Sequence, residues 1–149
     1  MRPGMRRVTR LTGIAVAVLV GLPPAAGAQT GEERAVRGAI EQYFRGHATR
    51  DGAEMRKAFL STAHIEGIRQ GAFTSWTVDE YCAGFNGTPA ADEATRTRTI
   101  DSVDVSGAAA MVKATLVHGT TTFTDYFVLL KVDGAWKIAN KVYSSRPSR

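Results

Sequence analysis

Two periodicities divide the chain. From Glu32 to about Thr49 the positions Val36, Ile40, Tyr43, Phe44 and His47 recur at intervals of three and four, which lines one face of an amphipathic helix. From Thr95 onward the period falls to two, and TRTRTIDSVDV, AAAMVKATLVH, TTFTDYFVLLKV and AWKIANKVY read as four strands. Ser106-Gly107, Gly119-Thr120 and Asp133-Gly134 join them, the last with the composition of a type I′ hairpin turn. Between the two regimes, Asp51 three residues before Glu54 caps a second, short helix in which Met55 and Phe59 share a face. Thr77 and Glu80 repeat the spacing and start a third helix at residue 78, with Trp76 and Tyr81 placed as a hydrophobic staple. HIEGIRQGAFTSW then forms two short strands around Gln70-Gly71, NGTPAADEA is loop, and SSRPSR is a frayed end. Helices followed by hairpin-linked strands predict one α+β domain, with helices over one face of a curved antiparallel sheet.

Alternation also predicts which side chains share a face. A two-residue turn at Asp133-Gly134 puts Leu129 opposite Ile138, Phe127 opposite Asn140 and Asp125 opposite Val142. The core face then carries Phe123, Asp125, Phe127 and Leu129 on one strand, with Trp136, Ile138, Asn140 and Val142 on the next. Carried through the other turns, it gains Ala110, Val112, Ala114, Leu116 and His118, then Thr97, Thr99, Asp101 and Val103. The outer face receives Lys113, Lys137 and Lys141, but also Tyr126, Val128 and Leu130.

The first 28 residues change the electrostatic picture. Arg2, Arg6, Arg7 and Arg10, an apolar run from Leu11 to Leu22, and Ala26-Gly27-Ala28 have the three parts of a secretory signal cleaved after Ala28. Export to the periplasm or the medium is expected, leaving a domain from residue 29 to residue 149 with no membrane attachment. The signal holds four of the 19 basic residues and none of the 14 acidic ones, so the remainder balances at +1. That is too little, and too dispersed, for nucleic-acid binding. The single cysteine, Cys82, cannot form an intramolecular disulfide, so stability must come from a packed core.

The order helix, helix, small hairpin, helix, four strands, with IEQYFRGHATRDGAEMRKAFLSTAHIEG and FVLLKVDGAWKIANKVY, resembles the nuclear transport factor 2-like superfamily. Within it the chain is most similar to the SnoaL-like and "putative lumazine-binding" proteins, from Glu32 to Tyr143. The resemblance implies a cone-shaped fold around a cavity and pairing of copies through the outer sheet face, here marked by Tyr126, Val128 and Leu130. It implies no single activity, because this fold hosts isomerases, dehydratases, cyclases and binding modules.

The polar exceptions on the core face carry the chemical information: His118, Asp125, Asn140 and Asp101. A buried carboxylate costs several kcal/mol unless it is paired or reaches water in a cavity. The bland account is an internal network of Asp125 with His118 or Asn140. The functional accounts are three. In the first, the chain binds a small apolar or aromatic molecule, with Tyr43, His47, Phe127 and Trp136 lining the cavity, Asn140 facing it, and His64, Trp76 and Tyr81 on its lid side. In the second, Asp125 is a general base and His118 its partner in a cofactor-independent isomerase or dehydratase, with tyrosine donors at a developing enolate. In the third, the chain is a dimeric interaction module without a ligand. No cofactor or metal is expected: His64-Ile65-Glu66 matches the His-x-Glu of zinc deaminases, but no Pro-Cys-x-x-Cys follows.

Overall fold

The structure, a computed structural model, describes residues 26–148, with side chains from residue 31. The expected export signal lies almost wholly outside the described residues. The first helix, α1, runs Ala26–Thr49, followed by α2 (Gly52–Arg56), strands β1 (His64–Arg69) and β2 (Ala72–Thr77), and α3 (Val78–Ala83). A 3₁₀ turn at Glu93–Thr95 leads into β3 (Thr97–Ser106), β4 (Ala109–His118), β5 (Thr121–Val132) and β6 (Ala135–Pro147).

Local signals set the element ends. Asp51 accepts from the amides of Ala53 and Glu54 at 2.9 and 3.0 Å and caps α2. At α3 the capping box is complete: Thr77 Oγ1 accepts from the Glu80 amide at 3.3 Å, and Glu80 Oε2 accepts from the Thr77 amide at 2.8 Å. Asp133 and Gly134 both have positive φ, 50° and 80°, as a type I′ turn requires.

The six strands form one sheet in the order β2-β1-β6-β5-β4-β3. Every pairing is antiparallel except β1 with β6, which run parallel. The small hairpin therefore extends the main sheet. Nor does the chain fray after Tyr143, because Ser144–Pro147 pair with Thr121–Thr124. On the covered face, Val36, Ile40 and Tyr43 of α1 pack against Val112, Leu116, Phe127, Leu129 and Ile138, all at 2% exposure or less. Each such large apolar side chain contributes roughly 1.5–3 kcal/mol of burial.

Two one-residue bulges change the faces expected from strict alternation. On β6, Leu129 faces Ile138 but Val128 faces Asn140, so Ala139 is extra and parity reverses beyond it. Lys141 and Tyr143 turn inward, while Val142, expected in the core, is exposed. On β3 the extra residue is Asp101, between Ile100 and Ser102. Val103 keeps its expected inward place, but Ile100 and Arg98 are the inward residues beyond the bulge, and Thr97 and Thr99 are exposed. Asp101 itself is exposed and accepts from Thr115 Oγ1 at 2.8 Å.

Candidate functional site

The open end of the cone holds a cavity of about 390 Å³ between α1, α3 and the concave face of the sheet. Its inner end is an ion pair. Lys141 Nζ donates to Asp125 Oδ2 at 2.5 Å and to Tyr43 Oη at 2.9 Å. Asp125 is 1% exposed and Lys141 5%. The pair is diagonal across adjacent strands, since Phe127 faces Lys141 and Tyr143 faces Asp125.

Aromatic rings enclose the ammonium. The centroids of Tyr43 and Tyr143 are each 5.1 Å from Nζ, with Tyr81 at 5.7 Å and Phe127 at 5.8 Å. Desolvation in this cage lowers the Lys141 pKa, but the Asp125 carboxylate opposes it and the net direction is upward, so the ammonium stays charged. Tyr43 Oη lies 3.3 Å from Tyr81 Oη and 3.4 Å from Asp125 Oδ2. Burial raises both phenols, Tyr43 strongly, and each keeps its proton. Asp125 Oδ1 is buried without a hydrogen-bond partner among the described residues.

A second cluster forms the side wall. The rings of His47 and His118 lie 4.9 Å apart, and Phe85 meets His47 edge-on at 5.5 Å. Arg98 is held by Glu93 at 2.6 and 3.0 Å and donates to His47 Nδ1 at 3.3 Å. Arginine only donates, so Nδ1 accepts and the His47 proton sits on Nε2. Burial pushes His47 down to about 2 and His118 down to about 4, so both imidazoles are neutral at pH 7. His118, which also lines the cavity, has its Nε2 buried without a hydrogen-bond partner among the described residues. Opposite, Trp76 stacks on Tyr143 with centroids 6.5 Å apart and planes within 6°. Thr74 Oγ1 fixes the Tyr143 hydroxyl at 2.6 Å.

Among the residues proposed from sequence, the structure brings Tyr43, His47, Trp76, Tyr81, His118 and Asp125 to this cavity. Four others lie elsewhere. Phe127 is wholly buried beneath Tyr43, a core residue under the floor. Trp136 packs at the far end, its Nε1 donating to Glu32 at 2.8 Å. His64 is exposed, with Nδ1 3.2 Å from the Thr62 carbonyl. Asn140 takes the outer-face register opposite Val128, because the bulge at Ala139 reverses parity after Ile138.

Sequence reasoning missed Lys141, Tyr143, Phe85, Arg50, Arg69 and Arg96, all at the cavity. The missing signal for Lys141 and Tyr143 was the bulge. The only hint within the strand was that Asp125, once placed inward, needed a cation on a neighbouring strand. Cys82 is buried, and burial pushes its thiol up to about 11, as befits an inert packing residue.

A six-stranded curved sheet with helices across its concave face, enclosing a cavity at one end, defines a nuclear transport factor 2-like α+β domain. Residues 31–144 match the family described as "Putative lumazine-binding", and the chain belongs to that family. An NTF2-like protein of unknown function from Shewanella baltica OS155 is 28% identical over 80% of this chain and 97% of its own, with a TM-score of 0.71. Another, from Silicibacter pomeroyi DSS-3, is 24% identical over 79% of this chain and 98% of its own, at 0.72. A ketosteroid isomerase-like protein from Erwinia carotovora atroseptica SCRI1043 shares the fold at 15% identity and 0.57, over 76% of this chain and 95% of its own. No curated protein matches the chain.

Proposed function

We propose that this chain is an exported, small-molecule-binding domain whose ligand is a flat ring system held in the aromatic cavity. One observation carries the reading. A 390 Å³ space walled by Trp76, Tyr81, Phe85 and Tyr143 is also lined by Asp125 and His118, whose Oδ1 and Nε2 are buried with no hydrogen-bond partner among the described residues. Leaving a buried polar atom unmatched costs about 1–3 kcal/mol, and a ligand with ring hydroxyl or N–H groups recovers it. The family description points to the same ligand class.

The test is a binding screen of pterins, flavins and steroids, read through Trp76 fluorescence and by native mass spectrometry of protein purified from its exporting host. A hit whose affinity drops in Asp125→Asn is the expected result. A chain that binds no member of the panel and carries nothing from its host overturns the reading.

A second reading, a cofactor-independent isomerase or dehydratase, draws on the same Oδ1. Asp125 lines the cavity together with the protonated Tyr43 and Tyr81, as a base beside oxyanion donors would. Turnover of an enolisable ketone that persists unchanged in Asp125→Asn removes it.

A further inference from the structure

The charges around the cavity do not balance. Its lining holds one carboxylate, Asp125, and four cations, Lys141, Arg50, Arg69 and Arg96. Two of the cations are matched. Lys141 is paired with Asp125, and Arg96 with Asp92 at 2.9 Å. Among the described residues, the other two are not. Arg50 is steadied by neutral groups only: Nη2 donates to the Gly84 carbonyl at 2.6 Å, Nε to Asn86 Oδ1 at 3.4 Å, and the guanidinium lies 5.1 Å from the Phe85 ring centroid. Arg69, at the end of β1, is exposed at the rim and makes no ion pair among the described residues.

Among the described residues, the carboxylates nearest the histidine wall are already taken, Asp92 by Arg96 and Glu93 by Arg98. His47 and His118 are neutral, and Arg98 behind them is already held by Glu93. Two uncompensated guanidiniums therefore border a cavity whose walls are aromatic and whose inner ion pair is electrically closed. Guanidinium binds carboxylate through parallel N–H donors, and a partly enclosed, low-dielectric site strengthens the attraction. Arg50 is moreover already oriented by three neutral contacts, so a ligand would not have to order it.

Building on the binding reading above, we propose that the cavity selects ring-bearing organic anions, carboxylates above all. The ring lies against the aromatic walls and the anionic group pairs with Arg50 and Arg69. A neutral ring of the same shape satisfies the walls but leaves both guanidiniums to water.

The experiment compares 2-naphthoate with 2-naphthamide and 2-(aminomethyl)naphthalene, titrated against the full domain by calorimetry and Trp76 quenching. The expected result is carboxylate binding about tenfold tighter than amide at low ionic strength, with the cation weakest. The preference should shrink as salt is added, because the rim charges are screened. It should vanish in Arg50→Gln/Arg69→Gln and partly return in Arg50→Lys/Arg69→Lys. The salt series uses the unaltered protein, so it decides the matter even if a variant misfolds. Equal affinity for carboxylate and amide, or a preference indifferent to salt, overturns the anion inference and leaves the binding reading standing. Failure of all three probes to bind also overturns the anion inference, whereas the binding reading falls only if the pterin, flavin and steroid panel and the host-purified protein are empty as well.

Discussion

Lys141 Nζ lies 2.5 Å from Asp125 Oδ2, and both side chains are buried. Removing either partner strands the other charge in a low-dielectric setting. Lys141→Met is expected to cost about 3–5 kcal/mol of folding stability, and Asp125→Leu a comparable amount. The double variant Lys141→Met/Asp125→Leu should recover most of the loss, because an apolar pair has no desolvation penalty to offset. Urea denaturation of all four proteins as a double-mutant cycle checks this, and strictly additive losses would contradict it.

Two glycines of α1 should respond to alanine with opposite signs. A Cβ on Gly46 would sit 2.5 Å from the Met55 amide nitrogen and 2.6 Å from its Cα, backbone that cannot yield. Gly46→Ala is expected to destabilise by about 1–3 kcal/mol by prising α1 from α2. Gly38 is exposed and a Cβ there meets nothing within 4 Å. Gly38→Ala should stabilise by about 0.5–1 kcal/mol through helix propensity. Thermal melts of the two variants would show the divergence.

The neutral histidines predict an acid-labile site. His118 titrates near 4 and His47 near 2 in the folded chain, against an ordinary value of 6.5. Below 6.5 the unfolded chain takes up protons that the folded chain refuses, so stability falls as pH drops through that point toward 4. Exposed carboxylates with lowered pKa, such as Glu80 and Asp92, lose their pairing only below their ordinary values of 4.5 and 3.8. The loss between the histidine value of 6.5 and the Glu80 value of 4.5 therefore belongs to the histidines. Denaturant midpoints across that interval should decline for the native sequence and decline less for His118→Gln. A slope unchanged by that substitution would assign the acid lability to other groups.

The outer face of the sheet predicts self-association. Met111, Tyr126, Val128, Leu130 and Val142 stand there with 43–52% of their surfaces exposed. An apolar stripe of this kind on a folded chain marks an interaction surface. The expected outcome is a homodimer by light scattering that Val128→Glu converts to monomer with the fold intact by circular dichroism. A native sequence that stays monomeric at high micromolar concentration would rule the pairing out.

Much of this architecture was legible from residues a few positions apart. The α1 stripe of Val36, Ile40 and Tyr43, the Asp51 cap, the Thr77–Glu80 capping box and the positive-φ Asp133-Gly134 turn all depend on neighbours within one helical turn or one hairpin. The inward course of β5, from Phe123 to Leu129, followed from alternation because that strand carries no bulge. Of the site, the same local reasoning reached Tyr43, His47, Trp76, Tyr81, His118 and Asp125.

What the chain alone determined, then, is the order of elements, their ends and the stretches of strand that alternate without interruption, since those are set by short-range backbone sterics and hydrogen bonding. The tertiary structure decided the rest. An extra residue at Ala139 or Asp101 becomes a bulge only through the partner strand it fails to match, and it alone turns Lys141 toward Asp125 and Arg98 toward His47. Arg50 and Arg69 likewise meet one cavity only because β1 adds to the sheet beside β6 while α1 crosses its concave face. Such juxtapositions rest on the closure of contacts between distant segments, which no periodicity within either segment records.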